Sequence, residues 1–547
     1  MDIKTFSATP RPSTLARPAH AGCEREPVPT SQTRAVVLNS LSMLLPLFVN
    51  LAVVFILSPL MVQRLGNRDY GIWELLLGVV GYLGILDVGI GSALVRYVSL
   101  ASGREDRRAL EETLNTGLLA LTLAGSVAFL ILGVLPFLPA WLSPLPPQEA
   151  GPLTPLLLLF GGNLLISFPN SAMGAYLLGL QKHRFLNIYL VASGIVEAVA
   201  VYFILVSDAA NKLVLLCLMK LLFSVTRAII YFVWIISTNV RITLWPTAFR
   251  WSLCRQLVAF GVKNTMLGAA HNLIRTMILL VITHFVGVAA IVFFVIPNRL
   301  IEYAYGPADA LGHPLLPLFT ALAAKGDAAA TRAAWLRSTR LLQVVTIGGP
   351  LALIWLGEPF IRRWMGSEYA SLGYVPLLIL AAGLLVKAIA VNATRLLMSL
   401  ARHGRVALFS AGAAIAFFLL SIPLTQAAGI AGAALSVALF MATVGWWEIV
   451  SASRELGISP TTHIGATLTR FAAPCAVASL VFKLLQSYAY PTTYPSIVFH
   501  GIVGGGAYLI LATLLTLSRE DRQFLRGLRR ATHTERRMAA IANHPHD

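Results

Sequence analysis

Ionisable side chains inside long apolar runs are the places where this sequence could do chemistry. Each costs at least about 2.5–3.5 kcal/mol at the centre of a bilayer, so it persists only against a partner or water. The densest set is Arg299, Glu302, Gly306, Asp309 and His313, whose alternating spacing of three and four residues makes one stripe along a helix. Pro297 and Pro307 stand in the same run, and the backbone donors they remove predict a kink or a break there. The preceding run repeats the pattern with Asn264, Gly268, His271 and Arg275, and Lys263 lies beside that stripe. Another run holds Lys387, Asn392 and Arg395, the last close enough to the end of its run to snorkel to the surface. Arg96, Lys220, Arg227 and Arg470 are read the same way. Glu74 and Asp87 stand among Gly71, Gly78, Gly81, Gly84, Gly89 and Gly91, which let helices approach closely.

The chemistry these residues suggest is ion binding in a wet cavity. Lys263, Arg275, Arg299 and Lys387 outnumber Glu302 and Asp309, which predicts a cationic cavity and an anionic cargo. Lys263, His271, Arg275, Arg299, Glu302, Asp309 and Lys387 are therefore the candidate binding residues. Glu74, Asp87 and His313 are the candidates for coupling or gating, with His313 able to carry a proton. The same spacing allows a plainer arrangement, in which Arg299 and Glu302 neutralise each other and lock helices together. The four cysteines show no CxxC spacing, and no catalytic cluster stands out. No enzyme activity, metal or cofactor is expected, and coupling to H+ or Na+ is left open.

The elements that must position these residues are membrane helices. The chain has 547 residues, 57% hydrophobic and only 12% charged, with a mean hydropathy of +0.75. An ordinary soluble domain carries roughly 25% charged residues, so this composition excludes one. Fourteen apolar runs of about 20 residues, the length that crosses a bilayer, follow one another from 36–63 to 497–517. The chain is therefore read as an all-α polytopic membrane protein with about 14 transmembrane helices, arranged as two six-helix lobes plus two C-terminal helices. Residues 1–35 are polar and proline-rich, a disordered cytoplasmic tail without a signal peptide. Residues 36–236 hold spans 1–6, 237–255 a cytoplasmic linker, 256–451 spans 7–12 and 452–517 spans 13–14. The basic tail 518–547 sets Phe524, Leu525 and Leu528 against Arg522, Arg526, Arg529 and Arg530, as a helix lying on anionic lipid would.

Forty-two Lys and Arg against 24 Asp and Glu give a formal charge of +18. In a soluble protein that excess would suggest nucleic acid. Here 27 of the 42 fall in tails and loops on one side of the fourteen-span arrangement, against five on the other, Arg64, Arg68, Lys212, Arg362 and Arg363. Short cytoplasmic loops carry such an excess, so both termini are placed inside and no nucleic-acid partner is expected. The loop from Glu358 to Arg363 is the one that goes against the rule.

An internal repeat links the two lobes. Leu65-Gly66, then Tyr70-Gly71-Ile72-Trp73, Asp87 and Gly103-Arg104-Glu105-Asp106 recur as Val286-Gly287, Ile291-Val292-Phe293-Phe294, Asp309 and Lys325-Gly326-Asp327. Six spans separate the copies, so both have the same membrane orientation and the repeat axis runs along the membrane normal.

Several stretches resemble the polysaccharide flippase family, the Wzx-like branch of the multidrug/oligosaccharidyl-lipid/polysaccharide exporter superfamily. They are Leu65 to Trp73, Tyr82 to Gly91 with Arg96, Leu315-Leu316-Pro317-Leu318, Met365 to Tyr369, and Gly429 to Ala434. The first block is the most specific, and the proline-rich tail is outside the resemblance. The resemblance implies two lobes around a central cavity that carry undecaprenyl-pyrophosphate-linked oligosaccharide across the bacterial inner membrane by alternating access, for surface polysaccharide biosynthesis. It also implies membrane lipids and a polysaccharide polymerase or export machinery as partners. Span 1 lacks the mid-span arginines of the related lipid II flippases, which moves headgroup contacts to spans 7, 8 and 10. Two other readings compete: a multidrug cation antiporter of the same superfamily, using Glu74, Asp87, Glu302 and Asp309, and a membrane-embedded glycan polymerase or ligase. The second needs a large outer loop that the segmentation does not provide.

Overall fold

The computed structural model of the chain describes the backbone of residues 30–87, 89–137, 147–237 and 249–516, and the side chains of the same ranges except 30–51, 147–152 and 262–272. The expected basic tail 518–547, most of the N-terminal tail and the middle of the linker lie outside the described residues.

The described residues fold into fifteen helices. They are α1 (Thr30–Leu83), α2 (Ile90–Gly103), α3 (Arg107–Val134), α4 (Pro147–Gly179), α5 (His183–Val206), α6 (Lys212–Ser237), α7 (Trp251–Phe285) and α8 (Ile291–Gly312). There follow α9 (Leu315–Ala324), α10 (Ala328–Trp364), α11 (Ser367–Ile389), α12 (Ala393–Ser399), α13 (His403–Glu455), α14 (Pro460–Tyr488) and α15 (Tyr494–Thr516). Eleven described stretches are long and apolar enough to cross a membrane, where only helices and closed barrels satisfy the backbone. Two of the eleven are pairs of crossings, because Gly66 breaks α1 and Ala428–Gly429 breaks α13. With α7, 35 residues long and apolar at Leu273–Phe285, the fourteen expected crossings are all accounted for.

The expected break in span 8 is displaced. Pro297 and Pro307 lie inside an unbroken α8, and the chain instead turns at His313–Pro314, where Pro314 precedes the first residue of α9. Pro297 is held in place by α11, since a Cβ at Gly373 would come within 3.3 Å of its ring. Span 10 is also broken, at Ala390–Asn392, so Lys387 is carried by α11 and Arg395 by α12.

The sequence repeat recurs in the backbone. Gly66 and Gly287 have φ of +78° and +115°, Glu105 and Gly326 +54° and +70°, and Gln181 and Ala401 +59° and +58°. These left-handed residues are separated by 221, 221 and 220 positions, and they sit at matching turns between helices. At the second pair the following residue caps the next helix: Asp106 accepts from the Ala109 N–H at 3.0 Å, and Asp327 from that of Ala330 at 2.8 Å.

Packing is densest within each half of the chain. In the first, α4 packs on α2, α3 and α6, and α5 on α1; in the second, α11 packs on α8, α10 and α13. The pair α14 and α15 lies against α10. The turns at Gly103–Asp106, Leu180–Lys182, Lys325–Asp327 and Leu400–Arg402 share one face of the bundle with most of the loop Lys and Arg, here termed the basic face. On the opposite face the exceptional stretch Glu358 to Arg363, expected as a loop, is instead the helical end of α10. Arg362 pairs with Glu358 one turn away, and Arg363 lies over the Tyr494 ring at 5.4 Å.

Close helix crossings rest on small residues. A Cβ at Gly383 of α11 would stand 2.7 Å from the Ala438 Cα of α13, a backbone atom that cannot rotate away. Gly383→Leu is expected to cost about 1–3 kcal/mol by overpacking, read as a lower thermal midpoint in detergent; an unchanged midpoint would refute the close crossing.

Candidate functional site

The α8 stripe divides its work between two places. Arg299 reaches away from its own helix to α1, where it pairs with Glu74 and donates to the Ser58 hydroxyl at 3.1 Å. The pair is buried, with the Arg299 side chain 17% exposed and that of Glu74 2%. Ser58 and Glu74 each lie eight residues from Gly66, and Arg299 eight from the first residue of α8. At 1.5 Å per residue all three are ~12 Å below the opposite face.

Other ties join the two halves at a range of depths on the same side. Trp364 Nε1 donates to the Phe55 carbonyl at 2.8 Å, and the Tyr369 hydroxyl to Asn67 Oδ1 at 2.6 Å. Thr276 donates to the Gly78 carbonyl at 2.8 Å, and Gly71 lies so close to Val288 that a Cβ would overlap its carbonyl. Together these contacts close the opposite face.

A cavity of about 590 Å³ lies in the second half, between α7, α8, α11, α12 and α13. Three cations reach it from three helices: Arg275, Lys387 and Arg395. Three carboxylates reach it too: Glu302 and Asp309 from α8, and Glu448 from α13. Arg395, only 12% exposed, donates to Asp309 Oδ1 at 2.7 Å and to the Asp309 carbonyl at 3.0 Å. Lys387 Nζ stands 5.2 Å from the centre of the Tyr305 ring, and Glu448 is buried. Glu302 Oε1 accepts from Asn298 Nδ2 at 2.9 Å and lies 3.9 Å from Arg275. His313 sits at the rim, 74% exposed and 3.5 Å from Asp309. The remaining wall is apolar, with Ile278, Phe294, Leu384, Val437 and Phe440 prominent.

Of the candidate binding residues, Arg275, Glu302, Asp309 and Lys387 line this one cavity, and the gating candidate His313 stands at its rim. Arg299 is not among them, and its salt-bridge partner is Glu74, buried across the interface, while Glu302 lines the cavity. Glu74 is likewise absorbed by that pair. Asp87 stays with its own backbone, accepting from the Gly91 N–H at 3.3 Å where the chain enters α2. The side chains of Lys263 and His271 lie outside the described residues.

Arg395, expected to snorkel, is a buried partner of Asp309. Lys220, read in the same way, pairs with Glu197 on α5. Glu448 was missed, although an acid directly after Trp446-Trp447 in an apolar run meets the test that singled out Glu302. The expected basic surplus is accordingly absent among the described lining residues, where three cations face three carboxylates.

Removing one member of a buried pair leaves an uncompensated charge, at about 3–5 kcal/mol. Glu74→Ala is expected to lower the thermal midpoint by that order, and the double variant Glu74→Ala/Arg299→Leu to recover most of the loss. A double variant as unstable as the single one would show that the pair is not the source of the effect.

No protein-family model matches the sequence, and no curated protein is similar to it. Solved structures share its fold. A lipid II flippase, MurJ, in an inward closed conformation superposes with a TM-score of 0.67 at 13% identity, covering 87% of this chain and 98% of its own. An inward-facing multidrug resistance MATE family transporter of the MOP superfamily gives 0.62 at 11% identity, covering 75% and 94%. An outward-facing transporter of the same description gives 0.55 at 12% identity, covering 77% and 95%.

Proposed function

We propose that this chain is a flippase for a lipid-linked oligosaccharide, taking the anionic pyrophosphate headgroup of an undecaprenyl carrier from the cytoplasmic to the outer leaflet of a bacterial inner membrane by alternating access. The observation that carries this reading is that the most loosely held charge among the described cavity residues is a cation. Arg275 is half exposed and its carboxylate partner stands at 3.9 Å, so its guanidinium fork is available to a phosphate. The carboxylates are better held: Asp309 by Arg395, Glu302 by Asn298, and Glu448 by a hydrogen bond with Thr394 and the nearby charge of Lys387.

Two further features support the reading. The lipid II flippase covers more of this chain than the multidrug transporters do, 87% against 75% and 77%. The closed opposite face and the greater likeness to inward-facing structures fit a cavity that loads from the basic face, which the loop charges place in the cytoplasm.

The test is a flipping assay in proteoliposomes with a fluorescent undecaprenyl-pyrophosphate oligosaccharide. Arg275→Ala is expected to slow transfer about ten-fold or more, the loss of one charge-assisted contact. The neighbouring reading, a multidrug cation antiporter, draws on the half-exposed Asp309 and Glu302. Efflux of an organic cation by the native protein, abolished by Asp309→Asn and untouched by Arg275→Ala, would replace the flippase reading with that one.

A further inference from the structure

The cavity and the closed face are joined by one turn of α8. Arg299 holds Glu74 on the closed face, and Glu302 faces Arg275 in the cavity. At a separation of three residues the two side chains are neighbours on one helix. When the halves part, Arg299 leaves Glu74 and Ser58, which remain together on α1. An arginine left alone at that depth would be strongly disfavoured, so opening requires a second partner that travels with α8. Glu302 is the acid that α8 supplies within a turn, and at 45% exposure it has room to turn.

We infer that an anion bound at Arg275 unlocks the opposite face by handing Glu302 from Arg275 to Arg299, a relay that rests on the anionic-cargo reading above. The anion takes the Arg275 guanidinium and places a like charge beside Glu302. One of the two donors around Glu302 Oε1 is lost, leaving Asn298. Glu302 then relaxes towards Arg299, and the clasp with Glu74 weakens because Arg299 has an alternative of equal charge. Opening is thereby conditional on cargo: an empty cavity leaves Glu302 with Arg275 and Arg299 with Glu74.

The relay is tested on the full chain in nanodiscs, with native cysteines replaced and spin labels at Asp69→Cys and Glu368→Cys, one on each half beside the closed face. Inorganic pyrophosphate is the probe, with its binding followed by calorimetry. In the native background the long-distance population is expected to rise about five-fold, the lower end of ordinary coupling between two sites. Glu302→Gln is expected to bind pyrophosphate more tightly, having lost the carboxylate that competes for Arg275, and yet to show no rise, while Glu302→Asp keeps the rise. Glu74→Gln should raise the long-distance population without pyrophosphate. The distance distribution without the probe, unchanged in Glu302→Gln, establishes that this variant is folded. Binding without any rise in the native protein, or a native-like rise in Glu302→Gln, overturns the relay and leaves the anion site standing. Absence of pyrophosphate binding to the native protein overturns both the relay and the anionic-cargo reading.

Discussion

A guanidinium within the apolar span of a membrane protein must always have a partner, and the rest of this structure is arranged around that requirement at Arg299. Its partner, Glu74, belongs to the other half of the chain and is almost wholly buried. The pair therefore does more than neutralise a charge within a helix. It fixes how the two halves meet on one face, and the hydrogen bonds of Trp364 and Tyr369 and the close approach of Gly71 to Val288 join the same two halves. With that face held, the free space in the second half lies deeper, between mid-span Arg275 and the turn at His313.

The cavity obeys the same rule by a different arrangement. Each cation among the described lining residues stands near a carboxylate, so those residues leave no large unpaired charge. Binding an anion is then an exchange of partners and not a simple neutralisation. An exchange yields less net affinity than an unpaired arginine would, because a contact is given up for each one gained. For the proposed flippase that is an advantage, since cargo held too tightly on one side is not released on the other. In the proposed cycle Arg275, separated by 3.9 Å from Glu302, gives way before Arg395, which holds Asp309 at 2.7 Å.

Much of this was legible in the sequence. The fourteen crossings follow from length and hydropathy, which depend on the solvent and not on the neighbours. The repeat was legible as Gly66 and Gly287 with their following aromatic patches, because left-handed turns select the residues that can adopt them. The α8 stripe was legible from helical spacing. What spacing could not supply was the identity of partners. Local rules reach only one turn, so they offered Glu302 to Arg299, whereas Glu74 lies 225 residues away in sequence. Arg395 was given to the surface for the same reason, its acceptor being 86 residues distant on α8. The displaced break in span 8 has another cause: a proline removes one donor, but packing against α11 at Gly373 keeps the helix continuous through Pro297.

The repeat also explains why the two halves are not interchangeable. Asp87 and Asp309 occupy corresponding stretches, 21 and 22 residues after the matching turns at Gly66 and Gly287. Asp87 is spent on the Gly91 N–H where the chain re-enters a helix, so it is withdrawn from any cavity. Asp309 lies within a continuous α8, whose own backbone is satisfied there, and its carboxylate is free to pair with Arg395 at 2.7 Å. One local difference, a broken helix in the first copy and an unbroken one in the second, thus decides which acid is structural and which lines the cavity. The first half then contributes to the proposed transport cycle mainly through Glu74, as the fixed partner from which the second half must part.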